Sequence, residues 1–463
     1  MNSEQTGPSL TEQLARFLTE RRSEDLPDRV LHRAKYYFLD WLGSAIAGGE
    51  TEAGRILLDF ARQRDGKEST VIGLEVPRSV EVAAFVNGAL SHIVEMDDLH
   101  RASVIHPAAP VIPAALASAE QLCATGRDML AAIVFGYEVA IRIGEAVGKS
   151  HYKIWHNTAT CGTFGAAAAA GWLMGLSHQQ MVWALGNAGS QSAGLWQFII
   201  DGAMTKHLHA GKAAMNGWIA AALAKQGFTG PREILEGRQG FFAATSQDAE
   251  PAKVVDGLSS DQGQYKIEGV SIKPHASCRH THSTIDAALR LRENHRFEPD
   301  QISRVRIQTY RAALDLTDNI VPQNPYAAKF SIQYCAARAL LTGRVGLADF
   351  YPERISESDA RVLMNKTTVE IDEELDRHYP AEWAARITVT LVDGTMVSEM
   401  VSAPKGDPEN PLTDFELEQK FLQMIAGSQY ENHKDALLAF SRGLHQQHQI
   451  RPPFLLGQGL SKY

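Results

Sequence analysis

ARITVTLVDGTMVSEMVS, residues 385–402, alternates apolar and polar side chains on both sides of Asp393-Gly394. Alternation at a period of two gives a strand one apolar and one polar face. An Asp-Gly pair supplies the positive φ values that a tight turn requires, so the stretch reads as a β-hairpin. SRVRIQTY (303–310) alternates in the same way and provides another strand. Outward from there the texture changes. From about residue 9 to about residue 250, LTEQLARFLTERR, DRVLHRAKYYFLDWLGSAIAG, SVEVAAFVNGALSHIVEM, MLAAIVFGYEVAIRIGEAVG, TFGAAAAAGWLMGL and AAMNGWIAAALAKQG all carry apolar residues at three- and four-residue spacing. The expected fold class is therefore mostly α, a large all-α helical domain with an inserted smaller α+β domain. The expected boundaries are 1–269 for the first helical part, 270–403 for the α+β domain and 404–463 for a C-terminal return to helix.

Local signals refine this outline. Ser177 stands in an N-cap position before HQQMVWAL, and GFTGPREILEG places Pro231 near the first turn of another short helix. The Ala- and Gly-rich run 166–171 permits close helix packing. GLSSDQGQ (257–264) and APKGDPENPL (403–412) read as linkers at the two domain crossings. A cleft between domains is a usual address for a small-molecule site.

Composition narrows the functions available. The 463 residues are 44% hydrophobic and 21% charged, globular values with no case for general disorder. A net charge of −9 argues against nucleic acid or an anionic membrane as partner, while leaving room for a local cationic site that binds a small anionic carboxylate. The N-terminal stretch lacks the basic start and apolar core of a signal peptide, and no apolar run reaches the roughly 18 residues of a membrane span. A cytoplasmic protein is expected. Four scattered cysteines, 123, 161, 278 and 335, fit neither a disulfide framework nor a metal or iron-sulfur spacing. P-loop, Rossmann and GxSxG signatures are absent.

Four segments carry candidate chemistry. The first is SHIVEMDDLHRASVIHPAAPVIPAAL (91–116), with Glu95, Asp97, Asp98, His92, His100 and His106. Pro107, Pro110 and Pro113 are expected to hold this chain out of regular helix until about Ala114, leaving His106 on irregular backbone of the kind that exposes reactive groups. His92, Glu95 and His100 offer metal donors, but not at a recognised ligand spacing, so no metal is expected. The second is HYKIWHNTATCGTFG (151–165), where His156 precedes a helix start suited to a carboxylate. The third, DGAMTKHLHAGKAAMNG (201–217), sets Lys206 and His209 three residues apart. The fourth, SIKPHASCRHTHSTIDAAL (271–289), collects Lys273, Arg279, His280 and His282 beside a domain crossing. Any one of these groups alone reads equally well as a solvated charge or a hydrogen-bonded interior residue.

Together, and in order, these segments and KFSIQYCAARALLTGRVGLADF (329–350) resemble the 2-methylcitrate dehydratase (MmgE/PrpD) family, which includes cis-aconitate decarboxylases and an iminodisuccinate epimerase. The resemblance covers nearly the whole chain. It implies a homodimer with a helical domain and an α+β lid, and neither metal, iron-sulfur cluster nor other cofactor. The family's HP histidine falls on His106, its glycine-rich-helix histidine on His156, its TK lysine on Lys206 and its KP lysine on Lys273. Its motif acids fall on Glu95, Asp97 and Asp98; Glu95 and Leu99 depart from the usual Asp and Thr, and Tyr310 is the candidate for its lid tyrosine.

On that basis Lys206, Lys273 and Arg279 are expected to bind substrate carboxylates while His106 and His156 exchange protons with help from Asp97 or Asp98. Glu95, His209, His282 and Tyr310 complete the expected substrate-binding set. The expected activity is a cofactor-independent lyase on a small di- or tricarboxylic acid. Dehydration stands first, decarboxylation second and epimerisation third, with a catalytically silent ligand-binding or scaffold protein as the alternative of another class.

Overall fold

The computed structural model describes residues 7–258 and 264–451 and is about 59% helical. Residues 259–263, most of the first expected linker, lie outside the described residues. Two compact units are formed. Of the described residues, the first takes those up to Ile93, those within Asp97–Val270 and those from Asp414 to Arg451; the second takes Val94–Met96 and Ser271–Thr413.

The first unit is helical, and its centre is the Asn157–Leu173 helix, buried on every face from Asn157 to Gly171. It packs against Gly126–Ala146, Ala108–Leu122, His178–Gln191 and Thr205–Lys225. The small residues set the spacing. A Cβ on Gly165 would lie 2.6 Å from the Gly136 carbonyl oxygen, and one on Gly136 would lie 2.8 Å from that of Gly165. Two helices can cross backbone to backbone only because both positions are glycine. The Asp414–Ile425 helix packs on Asp28–Gly49 and is tied to it by the buried Lys420–Asp40 ion pair. Ser177 caps its helix as expected, its hydroxyl accepting from the Gln180 amide.

Two local expectations are corrected. Helix begins at Ala108, not near Ala114, with Pro107 as N-cap and Pro113 inside. Pro110 falls in the first turn, where no intrahelical donor is needed, and the first full-turn bond runs from the Val111 amide to the Pro107 carbonyl at 3.1 Å. The Pro231 segment forms successive turns and no helix. Its carbonyls are taken by the turns that follow: the Gly237 amide donates to the Glu233 carbonyl at 2.9 Å and the Phe241 amide to that of Ile234 at 2.6 Å.

The second unit holds a four-stranded mixed sheet in the order Thr367–Ile371, Ile302–Thr309, Ala385–Leu391, Met396–Val401. The first pair is parallel and the other two antiparallel. Val305 faces Val389 and Ile307 faces Ile387, putting the alternating apolar row of each strand on one buried face. The His282–Asn294 helix packs on Ala385–Leu391 and Met396–Val401, and Ile332–Thr342 packs on that helix in turn. Gly394 turns the expected hairpin at φ +87°.

Candidate functional site

The Val80–Ser91 helix ends with His92 as its C-cap, and the chain then runs irregularly to His106. His92 Nδ1 lies 2.6 Å from Asp97 Oδ2, and His106 Nδ1 lies 3.3 Å from the same oxygen. His106 Nδ1 also donates to the Asp98 carbonyl at 2.5 Å. A carbonyl only accepts, so His106 Nδ1 carries a proton. The main chain here is fastened to the start of the Asn157–Leu173 helix: the His106 amide donates to Thr158 Oγ1 at 3.1 Å, and Asn157 Nδ2 donates to the Ser103 carbonyl at 2.7 Å.

His156 is the N-cap of that helix, yet its side chain makes no capping bond. Its Nδ1 instead meets His209 Nδ1 at 3.2 Å, an arrangement in which one ring donates and the other accepts. The imidazoles form a chain, with centroids 4.9 Å apart from His106 to His92, 5.6 Å from His92 to His156 and 5.4 Å from His156 to His209. Trp196 and Phe198 wall the His156 end at 4.7 and 6.4 Å. Burial, then the charges of His92, Lys206 and His209, hold His156 well below the usual histidine range. Burial lowers His209 to about 4, helped by His92, Lys212 and Lys206. Both rings are therefore neutral at pH 7. Lys206, buried near the start of the Thr205–Lys225 helix, is the ammonium whose field both histidines feel.

The adjacent acids separate by role. Asp97 faces the two imidazoles, whereas Asp98 accepts from Tyr137 Oη at 2.8 Å and from the Ala108 amide at 3.1 Å. Full burial pushes the Asp98 carboxyl well above the usual carboxylate range. His92, which the sequence reading considered only as a metal donor, proves central to the ring chain. Its Nε2 is buried without a hydrogen-bond partner among the described residues. His92, Asp97 and His106 are also the described residues that could hold a metal ion, each offering a donor atom within 4.8 Å of the others. This differs from the set His92, Glu95 and His100, since His100 Nδ1 pairs with Ser103 Oγ at 2.9 Å and Glu95 belongs to the second unit. The 2.6 and 3.3 Å separations suit an N–H shared with a carboxylate.

In the second unit, Lys273 Nζ lies 3.4 Å from Glu95 Oε2, with the two side chains 1% and 3% exposed. Glu95 takes φ +59°, an unusual backbone for a non-glycine residue, and Lys329 Nζ holds the adjoining Val94 carbonyl at 2.7 Å. Arg279 is bound internally, to the Asp407 carboxylate, the Lys405 carbonyl and His282 Nδ1. His282 Nε2 donates to the Ser277 carbonyl at 3.3 Å, so Nδ1 accepts from Arg279. Tyr310 Oη meets His280 Nδ1 at 2.7 Å within a stack that includes Tyr379 and Trp383. Tyr326 went unnoticed in the sequence. Its hydroxyl is buried without a hydrogen-bond partner among the described residues, and it feels the Glu95 charge.

A separate cavity of about 770 Å³ lies along another face of the Thr205–Lys225 helix, lined by Phe60, Phe85, Leu208, Lys212 and Met215 among others. None of the clustered histidines lines it.

Comparison with known proteins gives two family matches, MmgE/PrpD N-terminal domain over residues 12–253 and MmgE/PrpD C-terminal domain over residues 275–446. The chain is 29% identical to a cis-aconitate decarboxylase-like protein of Aspergillus oryzae, over 90% of this chain and 91% of that protein. It is 29% identical to the cis-aconitate decarboxylase of Homo sapiens, over 89% and 87%. Similarity to the 2-methylcitrate dehydratase of Cupriavidus necator is 26% over 61% of this chain and 60% of that one.

Proposed function

The chain belongs to the MmgE/PrpD family, and on that premise we propose that it is a lyase acting on a small di- or tricarboxylic acid, with decarboxylation of a cis-aconitate-like acid as its first reaction. The sequence alone put dehydration first. Likeness to decarboxylases over nearly the full length, against partial likeness to dehydratases, supports reversing that order.

The observation that carries the reading is the buried histidine chain with its apolar end. Decarboxylation breaks the carbon-carbon bond to one carboxylate, releases carbon dioxide and leaves an electron pair on carbon for a proton to quench. The rings of Trp196 and Phe198 beside His156 offer little solvation to the departing carboxylate, which favours spreading its charge. The negative charge of the bound acid raises the proton affinity of the His156–His209 pair, which takes up one proton from solvent and delivers it through His156 to the carbon, returning to the neutral pair, while His106, with Asp97 orienting its ring, exchanges protons from the other end. Lys206 and Lys273 take retained carboxylates. Arg279 is assigned to the framework, because its two terminal nitrogens already hold the Asp407 carboxylate, the Lys405 carbonyl and His282. The active form is a homodimer.

Dehydration is the second reading: Asp97–His106 and His156–His209 also provide the base and acid that loss of a hydroxyl requires. Proton NMR in deuterium oxide with cis-aconitate, 2-methylcitrate and citrate tests both. Loss of carbon dioxide supports the first reading and loss of water the second. Acids returned unchanged and unexchanged at high protein concentration would leave the silent ligand-binding alternative.

A further inference from the structure

Residues 403–410, within the stretch 403–412 read from sequence as a linker, are bound closely to the segment that carries Lys273. The Ile272 amide donates to the Gly406 carbonyl at 2.9 Å, and Ser271 Oγ donates to Asp407 Oδ1 at 2.6 Å. Asp407 is fully buried and also holds Arg279. The turn closes on itself through Gly406 N to the Asn410 carbonyl at 2.8 Å and Asn410 N to the Asp407 carbonyl at 2.9 Å. Gly406 has φ +89°, and a Cβ there would lie 1.9 Å from the Ile272 carbonyl oxygen. Only glycine permits this approach.

Both residues immediately before Lys273 are thus fixed by this one turn. We propose that Asp407 is a positioning residue for Lys273, setting the ammonium through Ser271 while the adjoining Gly406 carbonyl holds Ile272; the inference rests on the reading that Lys273 takes a substrate carboxylate. Arg279 acts as the counter-charge that keeps the Asp407 carboxylate in place. A lysine stem is long and flexible, and fixing its main chain reduces the freedom lost when it grips an anion.

The test is a double-mutant cycle on turnover and on calorimetric binding of cis-aconitate. Asp407→Asn keeps an oxygen for Ser271 and removes the charge that holds Arg279. It should lower kcat/KM by about 10- to 100-fold, mostly through KM, and in a Lys273→Ala background it should cost no more than about twofold. Ser271→Ala, which removes a single hydroxyl, should show a smaller loss of the same KM-weighted kind, also erased by Lys273→Ala; it decides the matter if Asp407→Asn fails to fold. Losses that multiply with Lys273→Ala, or a wild-type KM in both folded variants, would overturn the inference and leave the role of Lys273 intact. If Lys273→Ala itself binds and turns over the acid like wild type, or wild type binds no acid, the underlying reading fails and takes the inference with it.

Discussion

His156 and His209 meet through their Nδ1 atoms at 3.2 Å, and only one of them can carry the proton in that contact. If the pair works as a relay, the two residues act as a unit. His156→Ala should lower kcat on the order of 100- to 10,000-fold. His209→Phe, which keeps a ring against Phe198, should lower it about 10- to 100-fold. The double variant should be little worse than His156→Ala. A wild-type kcat in His209→Phe would remove the relay.

Asp97 and Asp98 are neighbours in sequence and should separate in experiment. Asp97→Asn leaves shape intact but replaces the charged acceptor between His92 and His106, so kcat should fall about 10- to 100-fold with little change in unfolding midpoint. Asp98→Asn alters a group bound to Tyr137 and the Ala108 amide. It should shift the urea midpoint and leave most of the turnover. The reverse pattern would exchange their roles.

Much of the fold was legible because the signals were local. Strand alternation and Asp393-Gly394 gave the hairpin, and the Ser177 cap gave a helix start. What escaped depended on tertiary partners. The expected late start after the prolines failed because two of them fall where a helix needs no donor. Within the site, unusual residue types marked His106, His156, Lys206 and Lys273 in the sequence. Their partners left no mark. Arg279 finds Asp407 128 residues away, in a stretch whose glycine and prolines read as a linker. His92 carries no spacing signal of its own, since it meets Asp97 across irregular backbone.

Gly162 tests how tightly the proline-bearing helix is seated. A Cβ there would lie 2.6 Å from Pro110 Cγ, a rigid ring that cannot swing aside. Gly162→Ala gains helix propensity of up to about 1 kcal/mol but incurs overpacking of about 1–3 kcal/mol. The net expectation is a lower urea midpoint. A stabilised variant would show that the two helices can part at no cost.

The pH dependence of stability should have two limbs. Burial lowers His100 to about 3, His151 to about 4 and His280 to about 3, so each stays neutral in the fold after the unfolded chain has begun to take up a proton. Stability present above pH 6.5 is therefore lost as pH falls from there toward 4. Glu120 acts in the opposite direction. Burial raises it to about 8, and Thr70 hydrogen-bonds its carboxyl through amide and hydroxyl. The unfolded chain releases this proton near pH 4.5 while the fold keeps it to about 8, so stability is lost as pH rises through that window. Glu120→Gln can satisfy both Thr70 contacts without a proton to lose. Urea unfolding should find the variant close to wild type at pH 5 and more stable at pH 9, by on the order of 3–5 kcal/mol. Equal alkaline loss in both proteins would assign that limb to other groups.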